Sequence, residues 1–435
     1  MYAVSHLRLM FERPRGTRDF SPEHMTKFRH VEQVFTATAR SFGFREVLTP
    51  TFEDLGLFVA RSGPGVIEEL YAFKDKAGRD LALRPEFTAS VIRYYLKELR
   101  TLPKPIKVYS FGPLFRYEEP QKGRFREHWQ LSCEVIGAPL LEADAELISL
   151  AMRCFQNLGV KERRLRIGHI GLLREFLKGQ TQDIQERILH ALDKRDSPRL
   201  QQELTAAGLQ EHEIALTELV ALKGGAAVLD QARNLLGVES REWSDYLVHL
   251  RDRLLAHGLR DEEIQFDLGV IRGLAYYTGM VFELDCPNLG AEKQIGGGGS
   301  YALAETFGGE AVPTSGFGLG VDRAIMAGEA EGLSFPRPTL DLYIVPVGEK
   351  MREQALSVTE RFRKEGFSCD FDMTGRGPSK NLDYANAVGA SFCLILGERE
   401  WAKGTVALKD MASGEQTEMT VEKISAAIRS PRRST

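Results

Sequence analysis

The sequence predicts an α+β protein: a larger domain on a mostly antiparallel sheet flanked by helices, interrupted by a helical insertion, then a small C-terminal α/β domain. Three observations carry this. Residues 128–135 read His-Trp-Gln-Leu-Ser-Cys-Glu-Val, apolar at odd positions and polar at even ones, with further strands and turn residues around them. Residues 177–250 are rich in Leu, Ala, Gln and Glu at helical spacings. Beyond Pro338, short apolar strands alternate with helical segments.

In chain order, Ser21-Pro22 reads as an N-cap followed by proline at the first helical position. Met25, Phe28, Val31, Val34 and Phe35 then predict an amphipathic helix to about Phe42. After Gly43 the chain is strand-like through Val47, reaching Thr49-Pro50 at a strand end. The alternation at 128–135 predicts a strand with His128, Gln130, Ser132 and Glu134 on one face, a pattern also open to a solvated face. Leu147, Ile148, Ala151, Cys154, Phe155 and Leu158 predict a helix closed by Gly159. After the insertion, sheet pattern resumes near Ile264 and runs to Gly320. Past the linker at 335–338, strands are expected at 342–347, 368–371 and 392–396, with helices at 351–362 and 382–388, a parallel arrangement. The expected domains are 1–176, 177–250 (the insertion), 251–334 (the larger domain resumed) and 339–430.

With 43% hydrophobic and 27% charged residues among 435, the chain is neither disordered nor fibrous in composition. No apolar run approaches the roughly 20 residues of a membrane span. The N-terminus lacks the features of a secretory signal, so no membrane association and a cytoplasmic address are expected. Five scattered cysteines with no CxxC spacing argue against a disulfide framework or zinc site, and the histidines, His24 and His128 included, show no metal-ligand spacing; both sets are read as structural. A net charge of −4 means that a polyanionic partner would be met by local patches.

Four segments carry more charge than a core requires: 83–88 (Leu-Arg-Pro-Glu-Phe-Thr), 115–124 (Phe-Arg-Tyr-Glu-Glu-Pro-Gln-Lys-Gly-Arg), 272–279 (Arg-Gly-Leu-Ala-Tyr-Tyr-Thr-Gly) and 316–323 (Gly-Phe-Gly-Leu-Gly-Val-Asp-Arg). Arginines at strand ends suit a polyphosphate, because the guanidinium fork stays charged and donates paired hydrogen bonds. Glu86 and Glu134 suit an ammonium or imidazole donor. Glycines 296–299 leave room for a ligand or a neighbouring strand. Gly316, Gly318 and Gly320 lack the βαβ context of a dinucleotide loop and are expected to serve helix-to-sheet packing.

These segments, in this order, resemble the motifs of class II aminoacyl-tRNA synthetases. Arg-Gly-Leu-Ala-Tyr-Tyr from Arg272 resembles the signature peptide of histidyl-tRNA synthetases. The resemblance begins at Pro14-Arg15-Gly16-Thr17-Arg18-Asp19 and includes a motif 1 ending at Pro50, motif 2 at 116–134 and motif 3 at 316–323. It extends to a C-terminal domain like the family's anticodon-binding domain.

The resemblance implies ATP and Mg²⁺, histidine and tRNA(His) as partners, and a homodimer formed through motif 1. It implies that Arg116 holds the ATP α-phosphate, Arg323 the γ-phosphate and Arg124 the phosphates, with Glu118 near adenine or Mg²⁺. Arg272 would sit beside the α-phosphate and the substrate carboxylate. Glu86, Thr88 and Gln130 would bind the α-amino group, and Glu134 and Tyr277 the imidazole nitrogens; Tyr276 belongs to the same signature. No residue is expected to form a resident metal site. Arg376, Lys380 and Asn381 are candidates for anticodon contact.

Three departures stand out: Ala275 where many relatives carry Asp, Gly-Ser-Tyr-Ala at 299–302 for Gly-Arg-Tyr-Asp, and Glu119 where Arg is frequent. The rival reading is a regulatory paralogue resembling the synthetase-like subunit of ATP phosphoribosyltransferase, disfavoured by the C-terminal domain at about 340–428. A proline or threonine specificity is disfavoured by the Arg272 to Tyr277 peptide.

Overall fold

The computed structural model describes residues 11–62, 64–119, 125–236, 241–271, 277–337 and 339–429. The chain divides into two compact units, Met1–Phe20 with Phe28–Ser334, and Ser21–Lys27 with Phe335–Thr435.

Helix α1 (Pro22–Ser41) begins where expected, with the His24 N–H donating to Ser21 Oγ at 3.3 Å, and buries Phe28, Val31, Phe35 and Ala39 on one stripe. Strand β1 (Arg45–Glu46) follows. Strands β2 (Phe52–Asp54), β3 (Ala72–Lys74) and β4 (Asp80–Leu83), with helix α2 (Leu55–Ser62), form a small separate sheet in the order β2-β4-β3. Helix α3 (Thr88–Tyr94) leads to the long strands β5 (Ile106–Phe115) and β6 (Glu127–Ile136), then α4 (Leu140–Leu158). Gly159 ends α4 at φ 95°, a conformation that a side chain would strain.

Strand β7 (Arg164–His169) and helices α5 (Ile170–Phe176), α6 (Gln182–Lys194), α7 (Ser197–Ala206) and α8 (Glu213–Ala221) come next, then strand β8 (Lys223–Gly224), α9 (Ala227–Leu236) and α10 (Glu242–Ala256). Helix α10 continues past residue 250 because its buried positions Trp243, Leu247, Leu250 and Leu254 keep one helical stripe. Strands β9 (Ile264–Asp267), β10 (Tyr277–Asp285), β11 (Gln294–Tyr301) and β12 (Thr314–Gly320) and helix α11 (Val321–Ala330) complete this unit.

Nine strands form its main sheet in the order β1-β5-β6-β12-β11-β10-β7-β9-β8. Every neighbouring pair is antiparallel except β1–β5 and β7–β9. The odd residues of β6 face a helix layer: Trp129 packs edge-on against Phe28 of α1 at 5.0 Å, and Phe35 of α1 meets Phe155 of α4 at 5.4 Å. The buried side chains Phe28, Phe35 and Phe155 each contribute about 1.5–3 kcal/mol by leaving water. The even residues of β6 therefore face the other side of the sheet.

In the second unit, β13 (Leu340–Val347) lies parallel to β14 (Cys369–Phe371) and β15 (Ala390–Gly397), with α12 (Arg352–Lys364) and α13 (Pro378–Ala387) between them. Leu342, Ile344, Phe362 and Leu394 fill one face, and Tyr343, Val345 and Cys393 the other, as central parallel strands require. The domain is not purely parallel as expected. After α14 (Glu398–Ala402), strands β16 (Val406–Asp410) and β17 (Gln416–Met419) add an antiparallel hairpin. Its turn is held by Asp410 Oδ1, which accepts from the Ala412 and Ser413 N–H groups at 2.8 and 3.0 Å. The exposed polar residues of β17 left no alternation to read. Helix α15 (Val421–Arg429) closes the unit.

Asn381 is fully buried, not a surface contact. Its amide donates to Arg376 O at 2.8 Å and accepts from Tyr343 Oη at 3.1 Å. Arg376 pairs with buried Asp372 at 3.2 Å and stacks on Tyr384 at 4.2 Å. Lys380 is exposed.

Candidate functional site

The even face of β6 is built over glycines. Gly316 stands opposite Glu134 across the β6–β12 ladder, and a Cβ on it would come within 1.7 Å of Glu134 Oε2. A Cβ on Gly318 would come within 2.0 Å of Gln130 Nε2. These glycines make room for side chains of the neighbouring strand, so the expected helix-to-sheet role is corrected. Gly298 and Gly299 admit adjacent strands: added Cβ atoms would meet Gly316 O at 2.0 Å and Met280 O at 2.3 Å.

Arg116, Glu118, His128, Gln130 and Arg323 line one cleft of about 270 Å³. Arg116 leaves the end of β5; its Nε donates to Pro85 O at 3.0 Å and its Nη1 lies 3.7 Å from Glu118 Oε1. Arg323, on the first turn of α11, donates to Gln294 O at 2.7 Å. Asp322 pairs with Arg18, whose guanidinium lies 3.7 Å from the Phe125 ring centre at the cleft wall. His128 sits among these cations, and burial, then Arg116, pushes its imidazole down to about 3, so the ring is neutral at working pH. His128, read from sequence as structural, faces the cleft as a neutral aromatic surface. Two permanent guanidinium groups, Arg116 and Arg323, and a neutral ring line the cleft, with the Arg18–Asp322 pair at its wall, and suit it to a polyanion with a planar base.

Two residues further along β6 is Ser132, and beyond it Glu134, with 1% of its surface exposed, which excludes the solvated face. Thr88, at the start of α3, donates to Glu134 Oε1 at 2.8 Å, and Tyr301 donates to Oε2 at 2.5 Å. Glu86 is also buried and accepts from the Ala89 N–H at 3.0 Å. Burial pushes the Glu134 carboxyl up to about 8, against the two hydroxyl donors that stabilise its anion. Tyr277 is buried at the head of β10, directly opposite Tyr301. The Arg116 bond to Pro85 links this carboxylate pocket to the cationic cleft. A site with cations at one end and a buried carboxyl group at the other can hold a nucleotide beside a small molecule bearing a ring nitrogen that hydrogen-bonds to it.

Of the expected residues, Arg116, Glu118, Gln130 and Arg323 come together in the cleft, and Glu86, Thr88 and Glu134 gather beside it. Arg124, Arg272 and Tyr276 lie outside the described residues, as does Ala275. Glu119 forms an exposed pair with Arg15 at 3.1 Å. Tyr301, Arg18 and Asp322 were not assigned roles from sequence. Asp322 beside Arg323 was a usable signal, whereas the reach of Tyr301 depends on strand order. Among the described residues, no group of three or more His, Cys, Asp or Glu side chains is arranged to hold a metal ion.

Residues 16–324 match the histidyl-tRNA synthetase family model, and residues 341–430 the anticodon binding domain model. The chain is 40% identical over 419 residues to the histidine–tRNA ligase of Archaeoglobus fulgidus, covering 96% of this chain and 99% of that protein. It is 43% identical over 428 residues to that of Pyrococcus furiosus, covering 95% and 98%. The crystal structure of apo S. aureus histidyl-tRNA synthetase superposes with a TM-score of 0.72 at 26% identity, over 97% of this chain and all of that one. A Bacillus halodurans ATP phosphoribosyltransferase regulatory subunit/histidyl-tRNA synthetase gives the same TM-score at 25% identity, over 87% and 97%.

Proposed function

The chain belongs to the histidyl-tRNA synthetase family, and from that premise we propose how its residues carry out the family's reaction, the ATP-dependent ligation of histidine to its tRNA. The histidine carboxylate attacks the α-phosphorus of ATP, pyrophosphate leaves, and the terminal ribose hydroxyl of the tRNA then displaces AMP from the adenylate. The observation that carries the reading is the continuous face of β6, with Gln130 at a cleft lined by arginines and Glu134 in a buried carboxylate pocket.

Arg116 takes the α-phosphate and Arg323 the γ-phosphate, with Arg124 assisting; Arg272 sits at the reacting carboxylate and α-phosphate. Charge fixed in advance at the phosphorus is typically the largest catalytic contribution. The neutral ring of His128 offers the base a flat neighbour without adding repulsive charge. Gln130, Glu86 and Thr88 hold the α-amino group. Glu134 and Tyr277 read the imidazole nitrogens, and an analogue lacking one nitrogen would leave a buried polar group unpaired at a cost of about 1–3 kcal/mol. Tyr276 supports the same pocket.

Mg²⁺ fits this donor set only through the nucleotide, since it is commonly held by one or two carboxylates plus substrate phosphates. Glu118, a carboxylate of the cleft, would lie near the adenine or help hold the ion. When bound, the ion neutralises phosphate charge. The anticodon-binding domain engages tRNA(His), and the reaction takes place in the cytoplasm, where tRNA is charged. No described helix is long and apolar enough to cross a membrane.

The chain acts as a homodimer through the motif 1 region. Leu48 and Phe52 there are 76% and 52% exposed, and Phe73 packs edge-on against Phe52 at 6.4 Å, a patch that a partner copy would cover. Sedimentation at micromolar concentration showing only monomer would refute the dimer.

Pyrophosphate exchange into ATP tests the activation step. Exchange with histidine alone, lost in Arg272→Ala and Arg116→Ala, is expected. Absence of exchange with every amino acid would favour the regulatory paralogue.

A further inference from the structure

We infer that Asp144 of α4, on the opposite side of the sheet from the cleft, is a positioning residue for histidine recognition, acting through Ser300 and Tyr301 on Glu134. The inference rests on the reading of Glu134 as an imidazole contact.

Asp144 is fully buried in the helix layer behind the sheet. Its Oδ2 accepts from Ser300 Oγ of β11 at 2.7 Å and from Tyr246 Oη of α10 at 2.6 Å. Charged acceptors in a dry interior make strong, directional bonds, so Asp144 ties α4, α10 and β11 together at one oxygen.

The tie falls beside an irregularity of the β10–β11 ladder. Between the paired positions Tyr277↔Tyr301 and Val281↔Gly299, β10 advances further than β11, so their register is broken beside Ser300. Gly279 occupies that slack, and a Cβ on it would touch Ser300 Cβ at 3.4 Å. Regular pairing therefore does not fix this end of β11 from the β10 side. On the other edge Ser300 and Tyr301 stay in register with Ser315 and Thr314 of β12, and the Asp144 bond adds a fixed point from the helix layer.

The next residue carries the effect across the sheet. Successive strand residues point to opposite faces, so Ser300 points back to Asp144 while Tyr301 points forward to Glu134 at 2.5 Å. A hydrogen bond of 2.5–2.8 Å tolerates little displacement of its donor. If β11 shifts at Ser300, Tyr301 leaves Glu134 and Tyr277 loses its opposite neighbour. Serine at 300, where the family's Gly-Arg-Tyr-Asp pattern has Arg, is then matched to Asp144 and Tyr246 and not to the cleft.

The test measures KM for histidine and for ATP by pyrophosphate exchange in the full chain, for Asp144→Ala, Asp144→Asn, Ser300→Ala and Glu134→Gln. The inference predicts histidine KM raised roughly tenfold in Asp144→Ala and Ser300→Ala, corresponding to about 1.4 kcal/mol, with ATP KM within about twofold. Asparagine keeps an oxygen for both donors, so Asp144→Asn is expected to restore histidine KM to within about threefold of wild type. Equal rises in both KM values, or no rise in either Ser300→Ala or Asp144→Ala while Glu134→Gln raises histidine KM, overturns the inference alone. An unchanged histidine KM in Glu134→Gln overturns the underlying reading as well. Ser300→Ala, which removes one oxygen without emptying a cavity, keeps the test decisive if Asp144→Ala fails to fold.

Discussion

Gly316 faces Glu134 across the β6–β12 ladder with no space for even a methyl group, since a Cβ there would lie 1.7 Å from Glu134 Oε2. The carboxylate thus occupies the volume where any other residue at 316 would carry its side chain. Gly316→Ala must displace Glu134, and overpacking of this kind costs about 1–3 kcal/mol. Histidine KM in pyrophosphate exchange is expected to rise roughly 10- to 100-fold, with ATP KM little changed; an unchanged histidine KM would show that Glu134 is not a contact of the amino acid.

Glu134 also imposes a pH dependence. Its carboxyl stands at about 8 in the fold against 4.5 when unperturbed, because burial disfavours the anion. Between these values the folded chain binds a proton that the unfolded chain has lost, so stability falls as pH rises. The contribution is fully present below about 4.5 and lost as pH passes about 8. In thermal unfolding without ligand, Glu134→Gln should gain on wild type from pH 5 to pH 9. Parallel curves would contradict the assignment.

What was legible in the sequence follows from the range of each signal. Gln130 and Glu134 share a face because side chains alternate with period two, and α1 and α4 declare their ends through Ser21 and Gly159. The partners of Glu134 were not legible as partners. Tyr301 and Gly316 reach it only because β12 and β11 follow β6 in the sheet, and strand order is set by the whole fold. Asp144 looks like one acidic residue near a helix start until Tyr246 and Ser300, both more than 100 positions away, close over it. The antiparallel β16–β17 edge escaped because its outer strand is polar and exposed.

Asn381 was a candidate for anticodon contact and is instead a buried brace at α13, bonded to Arg376 O and Tyr343 Oη. Asn381→Ala strands buried partners at about 1–3 kcal/mol. The unfolding midpoint of the C-terminal unit should fall while histidine-dependent pyrophosphate exchange persists. Lys380→Ala, at an exposed position, should leave stability within about 0.5 kcal/mol. An Asn381→Ala chain with unchanged melting would contradict this division of roles.

This chain joins histidine to tRNA. The most direct measurement is charging of a tRNA(His) transcript with radiolabelled histidine in the presence of ATP and Mg²⁺, with each other amino acid in parallel. Histidyl-tRNA is expected with histidine alone, and none without ATP. Charging by another amino acid, or activation of histidine without transfer to tRNA, would contradict it.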